Sequence, residues 1–356
     1  MSSAGTHGGR SIEVGVLGAT GMVGQQFVRL LADHPWFRTT WLGASERSEG
    51  RTYREAMKWR LSSLPPADAL DRKVEACTPG NAPRILFSGM DAAAAKEIEP
   101  AFAAAGHIIV SNARNFRMFA DVPLVIPEVN GDHLALITRQ RRERGWSGAI
   151  VTNPNCSTVV LSIVLAPLRR FGLSRVMVTT LQAVSGAGYP GVASLDILGN
   201  VVPAISGEEE KMESETQKIL GALEGDGVTP HPVIVSATTT RVPVIDGHTE
   251  AVSIELTQKP SLADIRAALE GFRARPQELK LPSAPPAPIV YTESPDRPQP
   301  RLDVERDNGM TITVGRLRPC SILGSKLVAL GHNTVRGAAG AAILNAELMV
   351  ADGMLD

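Results

Sequence analysis

Cysteine is scarce in this chain: Cys77, Cys156 and Cys320 are the only three in 356 residues. Their odd number and wide spacing exclude the disulfide framework of a small secreted domain and fit reduced thiols in the cytoplasm. Net charge is nearly absent as well. A formal −1 gives neither nucleic acid nor an anionic membrane a surface to hold. Long apolar runs are missing too, since no stretch approaches the roughly 20 residues of a membrane-spanning helix. Residues 1–10 are small and polar, without the apolar segment of a signal peptide, and read as a flexible tail. What is present, 43% apolar and 21% charged residues, is ordinary globular composition. The length exceeds what one core normally serves, so two domains are expected.

From Ile12 the chain reads IEVGVLGATGMVGQQFVRLLADH: a β-rich run, a glycine-punctuated turn, then apolar residues at helical spacing. Further strands are expected over 39–45, 84–88 and 107–112, with the Ala-rich stretch DAAAAKEIEPAFAAAG helical between the last two. Alternating strands and helices indicate a parallel α/β sheet. After residue 153 the pattern changes to longer strands, in RVMVTTLQAVSGAG, HPVIVSATTTRVPV and HTEAVSIEL. In the last of these, His248, Glu250, Val252, Ile254 and Leu256 share one face by alternation, with His248 opening the strand and the face buried further on. The Pro-rich segment 282–300 fits only loop or extended structure, and HNTVRGAAGAAILNAELMV is a small-residue helix.

Gly18, Thr20, Gly21, Met22, Val23 and Gly24 fall in the turn between the first strand and first helix, where glycines let backbone N–H groups reach a pyrophosphate. The spacing is GxxGxxG rather than GxGxxG, so a plain Gly-rich turn stays open beside a dinucleotide site. At the end of the second strand stand Ser45, Arg47 and Ser48 instead of the carboxylate an NAD enzyme places there. They suit the 2′-phosphate of NADP, although Glu46 among them would repel it if it pointed inward.

Asn153-Pro154-Asn155-Cys156-Ser157-Thr158 leads into an apolar helix, so Cys156 sits at a helix N-terminus. There the dipole and free N–H groups favour thiolate, the form of a nucleophile. Asn153 or Asn155 caps that helix, and Cys77 and Cys320 read as inert packing. A thiol attacking a carbonyl needs an acid/base; His248 is one of seven histidines and follows a turn signal, which also fits a surface position. Ser206 and Glu209 have capping-box spacing, and Glu208 and Lys211 stand one helical turn apart. Arg114 follows the fourth strand, where α/β sheets bind ligands, and also fits an ordinary surface arginine.

Taken in chain order, GATGMVGQQFVRLL, SNARNFRM, VPLVIPEVN, NPNCST, LQAVSGAGYPG, GEEEKMESETQKIL, TTTRVPVIDGHTE, DRPQPRLD and HNTVRGAAG resemble the archaeal and fungal branch of the aspartate-semialdehyde dehydrogenase family over nearly the full length. The resemblance implies a Rossmann-type dinucleotide-binding domain (1–153, rejoined by a C-terminal helix in 332–356). The second domain would be an α+β catalytic and dimerisation domain (154–331) with a large mixed sheet. It implies Cys156 as nucleophile, His248 as acid/base and Gln182 beside the thioester. Arg241 would clasp the substrate carboxylate and Glu208 the amino group. Lys211, Arg114 and Asn115 would hold phosphate, and Asn155 joins the substrate set. Ser88, Ser185, Gly186 and Asn333 would lie near the cofactor NADP, and no metal is implied.

The implied reaction displaces phosphate from L-4-aspartyl phosphate to form a Cys156 thioester, which NADPH reduces to L-aspartate 4-semialdehyde for lysine, methionine and threonine biosynthesis. A homodimer or homotetramer is implied, built through the exposed face of the second sheet. Rival readings are malonyl-CoA reductase, with the same cysteine and a CoA leaving group, and a catalytically silent NADP-binding protein. N-acetyl-glutamyl-phosphate reductase shares the architecture but leaves Glu208 without a partner, and a cysteine hydrolase leaves the glycine loop unexplained.

Overall fold

The computed structural model describes residues 11–355, so the flexible-tail reading of residues 1–10 lies outside the described residues. Six strands, β1 (Ile12–Leu17), β2 (Phe37–Ala44), β3 (Val74–Ala76), β4 (Ile85–Ser88), β5 (Ile108–Ser111) and β6 (Ala149–Thr152), form a parallel sheet in the order 3-2-1-4-5-6. This is the doubly wound order whose crevice lies between β1 and β4, where the connections leave in opposite directions. Strands β4, β5 and β6 are buried along their whole length, as strands covered on both faces must be. The expected second, third and fourth strands are β2, β4 and β5, displaced by one or two residues at their ends. β3 and β6 had not been anticipated: one is three residues long, the other reads as the approach to the cysteine helix.

A small hairpin, β8 (Ala222–Glu224) with β9 (Gly227–Thr229), stands apart from a second six-stranded sheet. That sheet contains β7 (Leu173–Gln182), β10 (Ile234–Arg241), β11 (His248–Leu256), β12 (Ile289–Thr292), β13 (Ile312–Cys320) and β14 (Gly324–Gly331). Its order is 10-7-11-14-13-12, and it is mixed, with β10–β7 and β12–β13 parallel and the other pairs antiparallel. The Pro-rich segment 282–300 is extended, as expected, and supplies β12. One face of the sheet is covered by the helix Cys156–Leu165, buried from Ser157 onward, which explains why its sequence is apolar all round. On β7 the other face leaves Arg175, Met177, Thr179 and Leu181 exposed.

The C-terminal small-residue helix opens as a π-helix, Val335–Ala339, and continues as an α-helix, Gly340–Ala351. Ala339, Ile343, Leu344 and Leu348 pack in one core with Val14, Val110 and Val151 of the first sheet. Small side chains let this segment lie close to its neighbours. Arg336 of the π-helix is wholly buried, 2.7 Å from the equally buried Glu128. Removing one partner of such a pair strands a charge, at a cost of about 3–5 kcal/mol.

Candidate active site

Strand direction gathers the site. β7 and β10 run parallel, so Gln182 and Arg241 are register partners at their C-terminal ends. β11 runs antiparallel to β7, so His248 at its start arrives at the same edge. The helix carrying Cys156 begins there, and Cys156 Sγ lies 3.1 Å from His248 Nε2. His248 is fully buried, contrary to the surface alternative, and its strand face is buried from the first residue. Ala183 N–H donates to His248 Nδ1 at 3.1 Å, which assigns the proton of the neutral ring to Nε2, facing the sulfur.

The helix terminus that favours a thiolate meets opposing influences at Cys156, which is half-buried. Burial, then the Glu208 carboxylate, push the Cys156 thiol up to about 12, against smaller opposing effects of Arg117, Arg241 and the Ser157 N–H. Burial, with Arg241 and His332 nearby, brings His248 down to about 3. Low-dielectric surroundings penalise whichever form is charged. Both influences disfavour the charged form of each partner.

Asn155, not Asn153, caps the helix: its Oδ1 accepts from Ser157 and Thr158 N–H at 3.0 and 3.2 Å. Its Nδ2 donates to Glu208 Oε1 at 2.5 Å, and its own N–H donates to Glu215 Oε2 at 2.6 Å. Asn153 instead ties Asn112 to the π-helix carbonyl of Ala338. Glu208 also meets Lys211 Nζ at 3.0 Å, so that expected pair forms. The capping box does not. Gly207 is the N-cap of the helix Glu208–Ile219, in a left-handed conformation that carries Ser206 away, and Glu209 Oε1 accepts from Thr239 N–H instead. Arg114 is exposed, and Asn115 Nδ2 donates to Ala92 O at 2.6 Å. The cation of this motif that acts on Cys156, alongside Arg241, is Arg117, buried and 3.0 Å from Glu215 Oε1.

A cleft of about 1170 Å³ runs along the carboxyl ends of the first sheet. Gly18, Thr20, Gly21, Met22, Val23, Ser45 and Arg47 line it as expected, and so does Glu46. Gly24 does not line it; a Cβ there would come within 2.1 Å of Gly18 O, so this glycine lets the helix pack on the turn. Ser48 and Ser88 are buried outside the lining. Ser185 and Gly186 sit between the cleft and the cysteine: Asn333 Nδ2 donates to Ser185 Oγ at 2.8 Å, and Gly186 lies against Arg241 and His248. Ala187, Gly188 and Tyr189 carry this segment on to the cleft wall.

Two family models match in tandem: the semialdehyde dehydrogenase NAD binding domain over residues 13–137 and the semialdehyde dehydrogenase dimerisation domain over residues 165–336. The aspartate-semialdehyde dehydrogenase of Archaeoglobus fulgidus is 52% identical over 343 residues, spanning 96% of this chain and 99% of that protein. That of Cryptococcus neoformans is 48% identical, spanning 97% and 98%. The chain belongs to the aspartate-semialdehyde dehydrogenase family. Among solved structures, the family enzyme from Candida albicans with NADP has a TM-score of 0.89 and 43% identity, covering 96% of this chain and 99% of its own.

Within this family fold, sequence reasoning had missed several site residues. Arg117 and Glu215 lie within motifs already singled out, SNARNFRM and GEEEKMESETQKIL, and their burial was the missing signal. Lys58 and Arg60 line the cleft beside Glu46 and Glu49, and Arg60 lies over the Tyr189 ring at 4.1 Å. Neither Cys77 nor Cys320 is fully packed: Cys77 lines the cleft and donates to Ala44 O, while Cys320 ends β13 near the next turn.

Proposed function

We infer that the protein is an NADP-dependent, phosphorylating aspartate-semialdehyde dehydrogenase that uses Cys156 as nucleophile, supplying the step shared by lysine, methionine and threonine biosynthesis. The observation that carries this is the 3.1 Å contact between Cys156 Sγ and His248 Nε2, with Gly186 against His248 leading on to the cleft-lining Ala187 and Gly188.

The cleft fits NADP: Gly18, at φ +72°, lets the turn after β1 approach Gly89 of the turn after β4, where a Cβ would lie 3.0 Å from the Gly89 carbonyl carbon. The helix beginning at Met22 presents its free N–H groups there. Ser45, Arg47, Lys58 and Arg60 would hold the 2′-phosphate end. Bound NADPH supplies the hydride.

The chain's own residues supply the rest. Cys156 sulfur attacks the acyl carbon of L-4-aspartyl phosphate, the C–O bond to phosphate breaks, the thiol proton leaves on the departing phosphate, and a thioester remains. Arg117 and Lys211 receive the phosphate as it leaves, Arg117 replacing the exposed Arg114 in that role. Arg241 pairs with the α-carboxylate and Glu208 with the ammonium group. Gln182 aligns the thioester, and His248 Nε2–H donates toward the sulfur or the developing oxyanion.

We place the dividing line between the two domains near residue 153. The exposed β7–β10 face serves as a homodimer interface, with Met177, Leu181 and Ile234 as its apolar centre. Among the described residues no helix is long and apolar enough to cross a membrane, and three free cysteines suit the cytoplasm.

The test is reduction of NADP⁺ by purified protein with L-aspartate 4-semialdehyde, with and without phosphate, beside Cys156→Ala and a malonyl-CoA plus NADPH arm. Turnover that requires both phosphate and Cys156 is expected. Consumption of malonyl-CoA alone would replace the substrate assignment, and silence in both arms would leave a cofactor-binding protein.

A further inference from the structure

The helix Glu208–Ile219 touches the site through more than the substrate residues named so far. Glu208, Lys211, Glu215 and Lys218 follow one another at spacings of three and four, so one stripe of the helix carries alternating acid and base. Glu215 accepts from the Arg117 guanidinium at 3.0 Å and from the backbone N–H of Asn155, directly before Cys156, at 2.6 Å. Lys218 is the last of the four and is buried. Its ammonium group donates to three backbone carbonyls, those of Arg117 at 2.7 Å, Phe119 at 2.8 Å and Val122 at 2.9 Å.

Three donors on three carbonyls use the whole capacity of an ammonium group. The chain segment they hold, residues 117–122, is irregular: no helix or strand of its own fixes it. We propose that Lys218 is a positioning residue for the phosphate subsite, clamping the segment that carries Arg117 so that its guanidinium stays between Glu215 and Cys156. This rests on the assignment of Arg117 to the leaving phosphate. Arg117 is thereby held at both ends by one helix, its carbonyl by Lys218 and its guanidinium by Glu215. Burial lowers the Lys218 ammonium to about 8, against the opposing pull of Asp121 and Glu215.

The experiment compares Lys218→Met, Arg117→Met and the double variant, measuring KM for phosphate, for L-aspartate 4-semialdehyde and for NADP⁺ in the phosphate-dependent oxidation. A loosened guanidinium–phosphate contact corresponds to about a tenfold rise in KM for phosphate. That rise is expected in Lys218→Met with the other two constants within about twofold. Because both changes act through one guanidinium, the double variant should bind phosphate no more weakly than Arg117→Met alone. Lys218→Arg should restore most of the loss.

A general loss of kcat and of all three KM values in Lys218→Met, or effects that add to those of Arg117→Met, would overturn the positioning role. If Arg117→Met leaves KM for phosphate unchanged, the Arg117 assignment itself falls. If Arg117→Met raises it and Lys218→Met does not, only the clamp falls. Should Lys218→Met be insoluble, Lys218→Gln, able to donate to two of the carbonyls, carries the same comparison with the same outcomes.

Discussion

Gly337 is the residue whose replacement tests most directly how tightly the nucleophile is placed. It lies in the π-helix, and a Cβ built on it would fall 2.6 Å from Cys156 Cβ and 3.0 Å from Cys156 Cα. Non-bonded carbons rest at about 3.5–4.0 Å, so Gly337→Ala creates an overlap of about 1 Å. Neither side yields easily. The π-helix is tied by Gly337 N–H to His332 O at 2.9 Å and by the Asn153 side chain to Ala338 O at 2.9 Å. Cys156 is fixed by the Asn155 cap and by a helix buried along its length. Displacing a reacting atom by about 1 Å costs on the order of 100-fold in rate. Gly337→Ala should therefore lose about two decades of kcat while keeping its KM for NADP⁺, since the residue does not line the cofactor cleft. The assay is phosphate-dependent NADP⁺ reduction, read beside circular dichroism to show that the fold persists. A folded variant with kcat within about threefold of the parent would refute the claim that this contact positions the sulfur.

Glu99 is fully buried, accepts from Ser111 Oγ at 2.6 Å, and burial raises its carboxyl from 4.5 to about 7. A folded-state value above the unfolded one stabilises most below about 4.5 and loses that contribution as pH rises toward 7; a shift of this size is worth about 3 kcal/mol. Glu99→Gln should match the parent in urea unfolding below pH 5 and exceed it above pH 8, and equal stabilities at both ends would contradict the assignment. With its thiol near 12, Cys156 should be alkylated by iodoacetamide at a rate that climbs through pH 9 without levelling, as followed by peptide mass; a plateau near pH 7 would show a thiolate already formed. Glu208→Gln should speed that alkylation while slowing turnover, and a parallel decline in both would sink the electrostatic reading. Leu181→Arg on the exposed face of β7 should yield a monomer by light scattering, and an unchanged assembly would remove that face as the interface.

The first sheet was legible because β1 and β4 each pair a β-rich run with a following turn and helix, and β5 follows the Ala-rich helix Ala92–Ala104. Cys156 was legible because a capping asparagine and an uninterrupted apolar run announce a helix start. β3 and β6 were not, since three or four residues leave no period to read. Arg114 and Arg117 differ by three positions in one short motif, and composition does not choose between them. The choice is made by Glu215, 98 residues further on, which draws Arg117 inward. The same holds for Ser206: its spacing to Glu209 satisfies the capping pattern, but Gly207 adopts a left-handed conformation and starts the helix itself. Local pattern specified the elements, and long-range pairing decided which charges entered the site.

The electrostatic surroundings of Cys156 were the least legible feature, and their physical origin gives the site a logic. A helix terminus favours thiolate by an amount set at the surface, about 0.3–1 kcal/mol, rising to about 2 in partly buried geometry. Enclosure beneath the π-helix and beside His248 works the other way and is larger, and Glu208 adds to it. Arg117 and Arg241 oppose Glu208 but do not offset the burial. On the proposed assignment, the substrate ammonium pairs with Glu208, so binding the correct substrate removes the charge that most disfavours the thiolate after burial itself. A substrate without that ammonium group leaves Glu208 with only Lys211 and Asn155 as partners, and its charge continues to disfavour the thiolate. Specificity for the amino acid and activation of the nucleophile then share one carboxylate, which is why removing it should make Cys156 more reactive toward a small alkylating agent and less productive with its own substrate.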